Sequence, residues 1–176
     1  IELTWLYGLF ILFILIGASN AVNLTDGLDG LAGSLSAVAF IAFALISFVV
    51  GFEDIGIFCL VLVGSLIGFL VFNTHPAKIF MGDTGSLALG GVMGAVAILT
   101  HRELTLLVVA GVFVIETLSV ILQVFWLRFF HKKLFLMTPL HHHFEKLGWQ
   151  ETDIVKLFVV FGLLLAMGGI IFGVWL

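Results

Sequence analysis

Asp26, Asp29 and Asp83 are three of eleven acidic residues in this chain, and each stands beside a glycine. The first two lie three apart in "NAVNLTDGLDGLAG", Asn20 to Gly33. If Asp26 opens a helical turn, the pair shares one face; Asp-Gly steps equally favour turns and N-caps. Asn20 and Asn23 weigh toward function, because they add two amides at the edge of an apolar run, where polar groups are costly. Asp83 opens a helix in "FNTHPAKIFMGDTGSLALGG", Phe72 to Gly91, after Pro76 has broken the one before. As an N-cap it would accept hydrogen bonds from the first turn. The same geometry concentrates donors and positive potential and attracts phosphate. A carboxylate beside it could hold Mg2+, a hard cation that prefers oxygen ligands and bridges phosphates. Phe80, just upstream, is either an interfacial anchor or a stacking platform for a nucleotide base.

A third polar interval runs through "RFFHKK" to "MTPLHHHFEKLG". The basic run is suited to anchoring at anionic headgroups. His141, His142 and His143 are too closely spaced for a typical zinc site, whose ligands are spread along the chain. Read as an extended stretch, His142 points away from its two neighbours, so imidazole contacts to phosphate or sugar oxygens suit the spacing better than one shared ion. Glu116, with Ser119 and Gln123 at i+3 and i+7, forms a polar stripe inside an apolar helix. Pairing with a neighbouring helix is the favoured reading, lining a cavity the other.

These residues need elements to hold them, and composition says which. The chain has 176 residues, 62% of them hydrophobic and 10% charged, with a net charge of -4. Soluble domains carry about a quarter charged residues, so this chain belongs in a bilayer. Six windows approach the roughly 20 apolar residues of a spanning helix: Leu3–Ser19, Gly33–Gly51, Gly56–Phe72, Thr84–Leu99, Leu104–Leu127 and Ile154–Leu176. Backbone groups must be paired in hydrocarbon, and the alternating segments of a membrane barrel are missing. The expected fold is all-α, polytopic, one transmembrane domain over residues 1–176 with polar loops 20–32, 73–83 and 128–153. The first helix lacks the basic leader of a signal peptide and starts at Ile1-Glu2, as a piece of a longer chain would. Cys59 is the single cysteine, so no internal disulfide forms.

Alternation of six helices puts the three polar loops on one side, with Ile1–Glu2, Phe52–Ile55 and Thr100–Glu103 on the other. Lys78, Arg128, Lys132, Lys133, Lys146 and Lys156 fall on or beside the first side, and Arg102 alone on the second. The positive-inside rule makes the first side cytoplasmic. Gly90, Gly91 and Gly94 have the spacing of close helix packing.

The stretches "NAVNLTDGLDGLAG", "FNTHPAKIFMGDTGSLALGG" and "PLHHHFEKLGW" closely resemble the phospho-N-acetylmuramoyl-pentapeptide-transferase family, within the wider polyprenyl-phosphate N-acetylhexosamine-1-phosphate transferase superfamily. The first two are shared across the superfamily; the histidine triplet points to the muramoyl-pentapeptide member. The resemblance implies Mg2+-dependent transfer of phospho-MurNAc-pentapeptide from UDP-MurNAc-pentapeptide to undecaprenyl phosphate, releasing UMP, at the cytoplasmic face of a bacterial membrane. Carried over by motif, Asp83 is the Mg2+ ligand and Phe80 the uracil-stacking ring. Gly27, Leu28 and Asp29 surround the base, with Asn73 nearby. Asn20, Asn23 and Asp26 belong to the polar cleft, and His141, His142 and His143 meet the phosphate or sugar end. A homodimer is expected, and no nucleic-acid partner.

The family fold has about ten membrane helices, and this chain resembles the last six. The adjacent aspartate pair that the family carries upstream has no counterpart, since Asp-Asp occurs nowhere here. The missing N-terminal portion of the same protein is therefore an expected partner, and the segment alone is expected to be inactive. A sister enzyme transferring GlcNAc-1-phosphate would share the aspartate motifs but not "PLHHHF". An ion transporter using Glu116, Asp26 and Asp29 would show paired broken helices in repeated halves, and none is evident. A non-catalytic interaction protein would not need three polar loops on one face.

Overall fold

A computed structural model describes residues 4–175; Ile1, Glu2 and Leu3, assigned above to the outer side and the first window, and Leu176 lie outside the described residues. The described residues form eight α-helices and no strand: α1 (Thr4–Thr25), α2 (Leu31–Val49), α3 (Glu53–Asn73), α4 (Gly82–Leu99), α5 (Glu103–Val109), α6 (Gly111–Phe130), α7 (Leu140–Lys146) and α8 (Glu151–Trp175). Six of them, all but α5 and α7, are long and apolar enough to cross a membrane. The all-α polytopic fold expected from composition is the fold observed.

The core sits on α2. Leu31, Phe40, Phe43, Ala44 and Ile46 are fully enclosed, as befits a helix that is apolar on every side. It packs mainly against α3 and α8, while α1 lies along α4. The outer helices turn rows such as Val61, Ile67 and Val71, or Leu164, Met167 and Ile171, away from the protein. In water such rows would be a liability; against lipid they are solvated.

Three differences from the sequence reading bear on the site. The helix expected to stop at Ser19 continues to Thr25. Two of its polar residues bond back onto the helix: Asn20 Nδ2 donates to the Ile16 carbonyl at 2.8 Å and Thr25 Oγ1 to that of Ala21 at 2.8 Å. The window Leu104–Leu127 is divided at Ala110 (φ -92°, ψ 21°) into α5 and α6. Gly111, a weak helix former, lets Leu165 of α8 press in where a Cβ would stand 2.9 Å from its Cδ1.

The third difference concerns the histidines. They do not lie in an extended stretch but on α7, which starts after Pro139 (φ -61°, ψ 175°). A remote group stabilises that short helix: Glu116 Oε1, on α6, accepts the His141 backbone N–H at 3.2 Å, satisfying one donor that a helix start leaves open. The alternating side-chain directions expected for His141, His142 and His143 therefore do not hold.

Candidate active site

Polar chemistry gathers where α1 and α4 end side by side. Their axes come close because Gly90 has no side chain: a Cβ there would collide with the Ala18 carbonyl oxygen and stand 2.6 Å from Ser19 Cα. Ser19 Oγ donates to the Leu87 carbonyl at 2.8 Å. One turn further along α1, Asn23 Nδ2 donates to Asp83 Oδ1 at 3.0 Å and to Ser86 Oγ at 2.9 Å. Asn23 thus fixes the first carboxylate.

A pocket of about 260 Å³ opens over this contact. Asn23, Asp26, Gly27, Leu28, Asp29, Asn73, Phe80 and Asp83 line it, joined by Met81 and Gly82. Eight of the twelve site residues expected from the sequence therefore meet in one place. Asn20 does not, being turned back onto Ile16, and neither do the histidines. His141 is buried behind the loop, the His142 ring contacts Glu145, and His143 Nδ1 accepts the Leu136 N–H at 3.1 Å.

The Asp26 carboxyl is pushed up from 3.8 to about 6, first by burial and then by the charge of Asp83; a hydrogen bond from the Gly82 backbone works the other way. A carboxylate whose ionisation is made costlier by a second carboxylate beside it forms with it a pair that a divalent cation would relieve. The donors here are carboxylate and amide oxygens, which suit Mg2+. Phe80, 77% exposed, stands at the rim with its ring free to stack.

The loops around the pocket are tied to one another by Asn73 and Asp29 and by two residues the motifs did not announce, His75 and Glu151. Asn73 Oδ1 accepts the Gly30 N–H at 3.1 Å while its Nδ2 donates to the Ile79 carbonyl at 2.9 Å. Asp29 Oδ2 accepts the Ala77 N–H at 2.9 Å and stands 3.0 Å from His75 Nδ1. Glu151, at the start of α8, accepts the Asp29 N–H at 2.7 Å and places its other oxygen 3.3 Å from His75 Nδ1. The donor atoms of Asp29, His75 and Glu151 lie within 4.8 Å of one another. That trio includes a nitrogen donor, which favours borderline metals over Mg2+, and its hydrogen bonds already account for its arrangement. His75 and Glu151 carried no local signal beyond being polar in sparse loops.

A second cavity, about 280 Å³ and apolar, lies between α1, α5 and α6, where Ile14, Ala18, Ala21 and Val22 face Leu107, Val114 and Leu118. Helix α1 therefore walls both spaces, the dry one along its length and the polar one at its end. Glu116 does not line this cavity; it pairs with α7, as favoured from the sequence.

Residues 1–101 match the model of glycosyl transferase family 4. The chain belongs to that family. The match spans α1 to α4, so the Asp26–Asp83 pocket lies within it. Over all 176 residues the chain is 56% identical to the phospho-N-acetylmuramoyl-pentapeptide-transferase of Geobacillus kaustophilus, covering 54% of that protein. It is 57% identical to the protein of that name from Geobacillus thermodenitrificans, over 76% of this chain and 41% of the relative. For the Bacillus subtilis protein of that name the figures are 58%, 70% and 38%. This glycosyl transferase family 4 chain thus spans about half the length, or less, of the relatives it matches.

Proposed function

We propose that this chain is the catalytic C-terminal part of a phospho-N-acetylmuramoyl-pentapeptide-transferase acting at the cytoplasmic face of a bacterial membrane. The observation that carries the reading is one pocket combining the Asp26–Asp83 pair, the Gly27–Asp29 loop and the exposed ring of Phe80. A nucleotide sugar needs those three features: a stacking face for uracil, backbone groups around the base edge, and a cation site for the pyrophosphate. Undecaprenyl phosphate supplies the nucleophile. One of its phosphate oxygens bonds to the sugar-bearing phosphorus of UDP-MurNAc-pentapeptide, the bond from that phosphorus to the bridging oxygen breaks, and UMP leaves with the electron pair.

Transfer of this kind depends chiefly on positioning and charge stabilisation. Asp83, held by Asn23, is the residue that would hold Mg2+, with Asp26 close enough to share the charge. Bound there, Mg2+ would neutralise the pyrophosphate oxygens. The apolar cavity on the same helix gives a polyprenyl chain a dry path toward the pocket. The aspartate pair expected upstream, in the remainder of the full-length chain, completes the centre.

The test is Asp83→Asn in the full-length enzyme, assayed for transfer in detergent or nanodiscs at saturating Mg2+. Asparagine retains an oxygen able to accept from Asn23, which is the bond Asp83 makes in place of the helix cap expected from the sequence, but loses the ligand charge. Turnover should fall ~100-fold or more with the melting temperature unchanged. Near-normal turnover would overturn the metal role.

A further inference from the structure

Glu116 and His141 are both fully buried, at 0% exposure, and neither lines the polar pocket. Glu116 Oε1 accepts the His141 N–H at 3.2 Å and stands 3.3 Å from the ring Nδ1. Its other oxygen, Oε2, has no hydrogen-bond partner, and neither ring nitrogen of His141 has one, so the approach to Nδ1 is a close contact and not a hydrogen bond. Enclosing a carboxylate so completely is expensive. Starting a seven-residue helix is a small return, because a neutral acceptor would serve as well. The far side of the imidazole shows what the arrangement reaches. A Cβ built on Gly27 would collide with His141 Nε2 and lie 3.1 and 3.2 Å from Cε1 and Cδ2. The ring therefore points its Nε2 edge at the backbone of Gly27, between Asp26 and Leu28 of the pocket lining. From α6 the contacts run from Glu116 to His141 to Gly27.

We propose that Glu116 is a positioning residue, which through the His141 ring holds the Asp26–Leu28 backbone at the floor of the polar pocket in its substrate-binding place. The inference rests on the transferase reading above for the identity of that substrate. The geometry gives His141 a role different from its two neighbours: it supports the nucleotide loop from behind, whereas His142 and His143 bond within the α6–α8 connection. Glutamate is suited to the task because it engages the ring and the helix start together. Glutamine keeps an acceptor for the backbone N–H but replaces the second carboxylate oxygen with an amide nitrogen.

The experiment uses the full-length enzyme and reads two quantities. Hydrogen exchange of the peptide covering residues 24–31 reports loop position whatever the protein catalyses. Transfer kinetics with UDP-MurNAc-pentapeptide report the consequence. Glu116→Gln should speed exchange in that peptide and raise KM about 10-fold, with kcat far less changed, as a small misplacement of a binding loop does. His141→Ala carries the same expectation and serves if the first variant folds poorly. Gly27→Ala should also raise KM, and combining it with His141→Ala should cost less than the product of the two losses, because the methyl enters the space the ring leaves. Unchanged exchange in both Glu116→Gln and His141→Ala, or strictly multiplicative losses in the double variant, would overturn the proposal. Faster exchange in an enzyme whose wild type performs no transfer would instead leave the positioning role standing and remove the transferase reading.

Discussion

Asp26 is the residue whose ionisation the pocket controls most directly. Its carboxyl sits at about 6, against 3.8 in its ordinary state, because burial and Asp83 both disfavour its charge. A carboxyl raised on folding favours the native state below its ordinary value, and that contribution is lost as pH rises through the folded value. Without divalent cations, Asp26→Asn should therefore raise Tm by on the order of 1–2 °C at neutral pH, the effect being trimmed by the group's partial exposure. The gain should vanish near pH 4, which a pair of melting curves in chelator will decide. At the opposite rim, Phe80 has nothing in its own protein to justify 77% exposure of an aromatic ring at a polar mouth. Phe80→Ala should raise KM for the UDP-substrate about 10-fold, within the range for loss of one base–aromatic stack, with kcat changed much less. Unaltered affinity for UMP would make the ring an interfacial anchor.

Between elements, the link from α6 to α7 is held chiefly by one side chain, with His143 adding a bond at Leu136. Gln123 Oε1 accepts the N–H of Leu134 at 3.0 Å and of Phe135 at 2.9 Å, while its Nε2 donates to the Phe135 carbonyl at 3.1 Å. At about 1 kcal/mol net for each bond, Gln123→Ala should open residues 131–139 to protease at least ~10-fold faster, and Gln123→Glu, which keeps both acceptances, should fall between. The stripe Glu116, Ser119, Gln123 was legible in the sequence as one face of a helix; what it faced was not. Most of the pocket residues could be read because they lie in a short motif, the Asp-Gly steps or the Phe80–Asp83 turn, that carries its own geometry. His75 and Glu151 could not, since Glu151 meets Asp29 from 122 residues away. The helicity of α7 was missed for the same reason: three histidines in a row look like loop, and the group capping their helix belongs to another element. The split at Ala110 depends on Leu165 of α8, again remote in the chain.

At the scale of the molecule, the chain spans 54% of the Geobacillus kaustophilus relative, and on the function proposed above it supplies one wall of a larger machine. The segment purified by itself should give no measurable transfer, and co-expression with the upstream portion of the full-length protein should restore it; activity from the segment alone would show that Asp26 and Asp83 suffice. Within this wall, Gly90 and the Asn23–Asp83 contact are parts of the same pair of pincers. The two helices touch backbone to backbone at Gly90, about two turns from Asp83, so the seam is the pivot and the carboxylates are the jaws. A methyl group at the pivot has nowhere to go except between the helices, and it must widen the jaws. Mg2+ accepts oxygens only near about 2.1 Å, whereas Ca2+ takes them up to about 2.6 Å. In the full-length enzyme, Gly90→Ala should accordingly weaken activation by Mg2+ while sparing or improving binding of Ca2+, as competition titrations will measure. A residue buried between two helices, with no side chain of its own, would then be selecting an ion by its radius.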